Sequence, residues 1–145
     1  MASRQYATFE VAGQLFGVEV EAVQEVLSFS EYTSVPLAPP AIGGLFNLRG
    51  QVIAAVDLRV QLGLARQALE GPVMNVILRG DDEPVSLLVD RIGEVVDLDE
   101  SSFEQPPDTL TGLARKLVVG CFKLDDRLML AIDVNSAVDT YGLVG

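Results

Sequence analysis

Residues 44–58 read GLFNLRGQVIAAVDL, and the second half of this stretch returns in altered form at residues 126–134 as DRLMLAIDV. Aligning Val52, Ile53, Ala54, Ala55, Val56 and Asp57 with Leu128, Met129, Leu130, Ala131, Ile132 and Asp133 sets one offset, 128 − 52 = 76. Upstream, Val20, Glu21, Val23, Glu25 and Val26 match Val89, Asp90, Ile92, Glu94 and Val95 with an offset of 89 − 20 = 69. The difference, 76 − 69 = 7, places an insertion in the second copy, within residues 101–116, which hold Pro106, Pro107 and Gly112. Two copies without a third argue for two related units rather than a solenoid. Approximate subdomains of 6–66 and 72–140 follow, each too small to be stable alone, so the two are expected to share an interface.

The 145 residues carry 10 Lys+Arg against 21 Asp+Glu, a net charge of −11, which repels phosphate backbones and anionic lipid at long range. Nucleic acid is excluded as a natural partner. No apolar run approaches the ~20 residues that cross a bilayer, and the polar start MASRQ does not resemble a signal peptide, so a soluble, cytoplasmic protein with no membrane insertion is expected. Cys121, the one cysteine, lies within the apolar string LVVGCF and reads as a buried, inert thiol.

Strand patterns dominate the chain. Ala7, Phe9 and Val11 alternate with polar neighbours, Gly13-Gln14 offers a turn, and Phe16, Val18 and Val20 alternate again, predicting a hairpin buried on one face. From Val20 the spacing changes. Val23, Val26 and Leu27 fall on one side of a short predicted helix, with Glu21, Gln24 and Glu25 on the other. Pro36, Pro39 and Pro40 stiffen the next connection. Gln51 to Leu58 reads as a strand whose Asp57 caps a helix over 58–62, ended by Gly63. Residues 65–72 form the predicted link. The second unit repeats the plan: a strand over 75–78, a turn over 80–84, a hairpin turned by Asp125-Asp126, and a helix over 134–139 capped by Asp133. Many short strands at this spacing predict small barrels, not a parallel α/β sheet.

The chain contains no histidine, which removes Ser/His and Cys/His nucleophiles together with the commonest metal ligand. Neither glycine-rich phosphate-loop spacing is present. Asp57 and Asp133 end matching strands and could serve as an acid/base pair in a carboxylate-dependent hydrolase, but helix capping explains both positions. Asp81-Asp82-Glu83 has too few ligands for calcium and reads as a solvated turn tip. No catalytic residue, metal or cofactor is expected. Arg49 is the exception to an apolar context: its guanidinium must reach solvent or pair with a carboxylate, and Glu25 is the expected partner.

Phe16 to Val20, Val23-Gln24-Glu25, Asn47-Leu48-Arg49-Gly50 and Val56 to Arg59, in that order, resemble the CheW-type coupling proteins of bacterial chemosensory systems. LLVDRIGEVVDL and VVGCFKLDDRLMLAIDV are similar to later parts of the same family, so the resemblance runs from about Tyr6 to Val138. One departure is Ile53-Ala54-Ala55, where the family often has a proline. The resemblance implies a mostly β fold of two pseudo-repeated five-stranded SH3-like barrels with short helices and a shared core. It also implies a non-enzymatic adaptor that binds the regulatory domain of a chemotaxis histidine kinase and, in the groove between subdomains, the cytoplasmic hairpin tip of a chemoreceptor. No kinase or response-regulator domain accompanies these residues, which favours a stand-alone adaptor recruited to membrane receptor arrays. Val23, Glu25, Gly44 and Arg49 match the family's receptor-binding neighbourhood; the resemblance gives kinase contacts largely to the second barrel, that of the 72–140 subdomain, without single residues assigned. A β-barrel module for another helical or peptide partner is the alternative.

Overall fold

A computed structural model describes residues 3–29, 32–65, 73–79 and 83–138. Ten strands carry the fold: β1 Ser3–Val11, β2 Gln14–Glu19, β3 Val23–Phe29, β4 Ile42–Leu48, β5 Gln51–Asp57, β6 Val73–Leu78, β7 Val85–Val89, β8 Arg91–Asp99, β9 Val118–Lys123 and β10 Leu128–Ile132. Three short helices join them, α1 Leu58–Gln61, α2 Gly112–Leu117 and α3 Val134–Val138. The strands form two five-stranded sheets, ordered β8-β1-β2-β10-β9 and β3-β6-β7-β5-β4.

The two orders are one pattern written twice, and the sequence offsets predict the registers. Tyr6 pairs with Glu19 and Asn75 with Leu88, displaced by 75 − 6 = 69 and 88 − 19 = 69. Asn47 pairs with Val52 and Lys123 with Leu128, displaced by 123 − 47 = 76 and 128 − 52 = 76. The duplication is therefore preserved down to individual backbone partners. Its insertion falls between β8 and β9, where α2 and a 3-10 turn at Glu100–Ser102 lie; among the described residues the β3–β4 connection has neither.

Repeat and sheet do not coincide, however. The first sheet takes β1 and β2 from the first half and β8, β9 and β10 from the second; the other sheet takes the remainder. The segments 6–66 and 72–140 are thus repeats in sequence but not separate barrels in space. Each half gives its first hairpin to one sheet and its last three strands to the other.

Each sheet closes on itself. In the second sheet the chain after β3 returns to the opposite margin, where Thr33 and Leu45 exchange two backbone hydrogen bonds of 2.8 Å. In the first, Glu104 and Cys121 exchange two of 2.9 Å across the equivalent gap. Closure gives each barrel its own interior, Phe46, Ile53, Ala55, Val73, Ile77 and Leu88 in one and Tyr6, Leu15, Phe122, Met129 and Ala131 in the other. Between the barrels lies the shared core: Phe9, Val11, Phe16 and Val18 meet Val56, Val76, Leu87 and Val89, with Leu58, Leu117 and Ala137 from the helices. Hence the β1–β2 hairpin is buried on both faces over Tyr6 to Phe9 and Leu15 to Val18, not on one.

Two local expectations change. The segment after Val20 is a 3-10 turn at Val20–Ala22 followed by β3, not a helix. The reason is an inverted edge-strand pattern: Val26 faces outward, 40% exposed, while Glu25 lies on the more sheltered side. The first hairpin turns at Ala12-Gly13, both left-handed at φ 52° and 80°, rather than at Gly13-Gln14. Elsewhere the expected elements form. Asp57 accepts the Arg59 amide at 3.0 Å to cap α1, and the chain beyond passes through Gly63 at φ 84°. The expected link over 65–72, beyond Ala65, the turn at 80–82 and the end of the last helix at Asp139 lie outside the described residues.

Candidate functional site

Val23, Glu25, Gly44 and Arg49 all belong to the second barrel, three on strands β3 and β4 and Arg49 in the turn joining β4 to β5. Strands β3 and β4 are the two margins of the sheet, and the pair Glu25–Arg49 spans the seam between them. The Arg49 guanidinium donates to the Glu25 carboxylate, as expected from sequence. The pair is largely open to solvent, the arginine side chain being 67% and the glutamate 29% accessible. Arg49 and Gly50 form a two-residue hairpin turn with φ of 50° and 87°, and the Asn47 side chain accepts the Gly50 amide at 2.9 Å. The turn fixes where the guanidinium starts, and Glu25 fixes where it ends.

Gly44 serves close approach. A Cβ there would lie 3.0 Å from the Tyr32 Cβ and 3.1 Å from the Thr33 carbonyl oxygen, so its absence lets the closing segment settle on β4. Val23 is half-buried and packs against the shared core rather than lining an open apolar groove. A charge at that position threatens the fold as well as any partner.

Sequence reasoning passed over Tyr32. Its ring packs edge-on against Phe46 at 5.6 Å, and its hydroxyl accepts from the Asn75 side chain at 2.7 Å. Asn75 is buried and also donates to the Val73 carbonyl and accepts from the Ser86 hydroxyl at 2.8 Å. Burial raises the Tyr32 phenol above its ordinary range, with the Asn75 hydrogen bond acting the other way. The available signal was Phe103, the aromatic that precedes the closing residue Glu104 as Tyr32 precedes Thr33.

A separate depression of about 360 Å³ lies where the sheets meet, lined by residues including Tyr6, Glu19, Ala22, Arg79, Val119 and Asn135. None of the four sequence-predicted residues lines it. Exposed Phe103 and Val119 border a smaller adjoining hollow with Arg4, Glu19 and Glu100, and Arg4 is paired with both carboxylates. These features suit the docking of side chains from another protein, with apolar floor and charged rim.

The two candidate acid/base residues are engaged locally. Asp57 caps α1, and Asp133 accepts the Ala137 amide through its carbonyl and the Ser136 hydroxyl through its carboxylate. Burial raises the Cys121 thiol, the nearby Glu104 charge adding to the effect, and its sulfur donates to the Gln105 carbonyl at 3.3 Å.

The CheW-like domain family model matches residues 5–141, nearly the whole chain. The chain belongs to the CheW-like domain family. Among its relatives, the chemotaxis protein CheW of Treponema pallidum is 25% identical over 90% of this chain and 79% of its own length. That of Bacillus subtilis is 29% identical over 90% and 84%. The crystal structure of the scaffolding protein TtCheW from Thermoanaerobacter tengcongensis superposes with a TM-score of 0.85 at 28% identity, over 97% of this chain and 96% of that one. The CheW-like fold, two five-stranded units with few short helices, is thus the family fold. The chain is a chemotaxis scaffold of a non-enzymatic family, which removes the hydrolase reading. Among the described residues no helix is long and apolar enough to cross a membrane.

Proposed function

We propose that this chain couples a chemoreceptor to a chemotaxis histidine kinase, holding both in a cytoplasmic assembly recruited to membrane receptor arrays. The carrying observation is the seam of the second-sheet barrel, where Glu25 and Arg49, which the family resemblance assigns to receptor binding, meet across the margin that also carries Gly44, in a chain matched by the CheW-like model over 5–141. The receptor hairpin tip docks on this seam, with Val23 supporting it from the core side. The kinase regulatory domain takes the barrel of the first sheet, where Phe103 and Val119, both from the second half of the chain, offer exposed apolar contacts beside the Arg4 network. Apolar anchors ringed by charge give affinity at the centre and specificity at the rim. No cofactor or metal is needed for such a role.

Calorimetric titration with a receptor cytoplasmic hairpin fragment and, separately, with a kinase regulatory domain tests the reading. Binding to each, and a ternary complex on mixing all three, is the expected result. Arg49→Ala weakens the receptor arm and spares the kinase arm. Absence of binding to either partner by the folded protein overturns the coupling role, and loss of both arms in Arg49→Ala overturns the separation of sites.

A further inference from the structure

The two barrel seams are built alike, yet in only one is the closing aromatic residue locked by a buried side-chain hydrogen bond. In each, an aromatic residue of the closing segment lies against a glycine and turns its ring edge-on to a phenylalanine: Tyr32 meets Gly44 through its Cβ and Phe46 through its ring, and Phe103 meets Gly120 through its ring and Phe122 at 5.3 Å. The glycines and the phenylalanines are each displaced by the same offset, 120 − 44 = 76 and 122 − 46 = 76. The residue after each aromatic then makes the closing backbone bridge. At the Asn75 position of the first barrel, 75 − 69 = 6, stands Tyr6, whose ring packs on Phe122 at 5.2 Å. Phe103 has no hydroxyl, so its ring is held by packing, and the polar contacts of that seam include the Glu104–Cys121 backbone bridge and the Cys121 thiol on the Gln105 carbonyl. In the second barrel the Tyr32 hydroxyl meets buried Asn75, itself fixed by Ser86 and the Val73 carbonyl. A fully satisfied buried polar group of this kind specifies one geometry more sharply than apolar packing does.

The same seam carries Glu25 on one lip and Arg49 near the other. We propose that Tyr32 is a positioning residue for the Glu25–Arg49 site: its hydroxyl, anchored on Asn75, fixes the closing segment and so the distance across which the ion pair forms. This rests on the reading of that seam as the receptor site, although its structural half can be measured without a receptor. Tyr32→Phe keeps the Cβ against Gly44 and the ring on Phe46 and removes the hydroxyl of the lock, whereas truncating buried Asn75 endangers the fold.

Amide exchange and the Arg49 side-chain Nε resonance are followed in the whole protein, with the Glu104–Cys121 bridge as internal control. The Leu45 amide is expected to exchange about three- to tenfold faster in Tyr32→Phe, as for one lost hydrogen bond, with Cys121 unchanged and the Arg49 resonance displaced. In titrations with a receptor hairpin fragment, Tyr32→Phe and Arg49→Ala should be non-additive in a double-mutant cycle. Unaltered Leu45 exchange overturns the proposal. So does faster exchange with an unmoved Arg49 resonance, or an additive cycle, either of which leaves Tyr32 a merely structural residue. Failure of the unmodified protein to bind the fragment would defeat the receptor reading instead, while the exchange and resonance data still decide the positioning role.

Discussion

Arg49 carries a backbone conformation that most residues avoid, φ 50°, in order to begin a tight turn, and a side chain that crosses the barrel seam. The two roles separate in stability measurements. Its exposed ion pair with Glu25 contributes only about 0.2–1 kcal/mol, and Arg49→Ala therefore shifts the unfolding midpoint little. Arg49→Gly relieves left-handed strain while loosening the unfolded chain, effects of about 1 kcal/mol that oppose each other. Arg49→Val retains the strain and adds a branched Cβ, at a cost of about 1–3 kcal/mol. Urea titration should rank valine clearly below arginine and glycine; equal midpoints for valine and glycine would mean that the turn is not left-handed in solution. Cys121 permits a second check. With its thiol raised by burial, it should react slowly with a thiol reagent near pH 8 and rapidly once the protein is unfolded. Rapid labelling of the native protein would place the β9 seam open to solvent.

At the scale of elements, Asp90 shows how the crossed strands are held. It lies where the chain leaves β7 of one sheet for β8 of the other, and its carboxylate accepts from the Arg59 guanidinium at 2.7 and 3.1 Å and from the Ala12 amide at 2.7 Å. One side chain thus ties the first hairpin turn and helix α1 to the crossover. Asp90→Ala leaves Arg59 and a backbone amide without this partner in a partly sheltered site and should destabilise by about 1–3 kcal/mol. Arg59→Lys cannot reproduce the two-pronged contact and should be weaker than the parent too. Chemical denaturation of both variants checks this; an unchanged Asp90→Ala midpoint would remove the tie. The same scale shows what a sequence can say. The strand ends at Asp57 and Asp133 and their following helices were legible because repeat offsets and turn chemistry act over a few residues, and the Glu25–Arg49 pair because a cation in an apolar setting demands a carboxylate. Strand β3 was not, because Val26 points outward and Glu25 inward at a sheet margin, and a reversed two-residue alternation mimics helical spacing. Tyr32 and Asn75, 43 residues apart along the chain, share a hydrogen bond that only barrel closure creates.

For the whole molecule, the decisive fact is that neither repeat owns a barrel. Residues 3–65 supply the hairpin β1–β2 to one sheet and β3, β4 and β5 to the other; residues 73–138 complete both in the reverse sense. The parallel contacts that join the contributions, β2 with β10 and β5 with β7, run between halves, as do the antiparallel contacts β1 with β8 and β3 with β6. A half alone would keep only its hairpins β1–β2 and β4–β5, or their counterparts, and isolated hairpins are marginal in water. The shared core reinforces this, since Phe9 and Val56 come from one half and Val76, Leu87 and Leu130 from the other. Fragments covering 1–68 and 69–145 should therefore each lack a cooperative thermal transition by circular dichroism, while an equimolar mixture recovers strand signal and one transition. Because both barrels form from the same association, the Leu45 and Cys121 amides should gain protection together, at the same fragment concentration. A fragment that folds cooperatively by itself, or protection that returns at one seam before the other, would mean that the barrels are separable units and that the crossed arrangement is not what unites them.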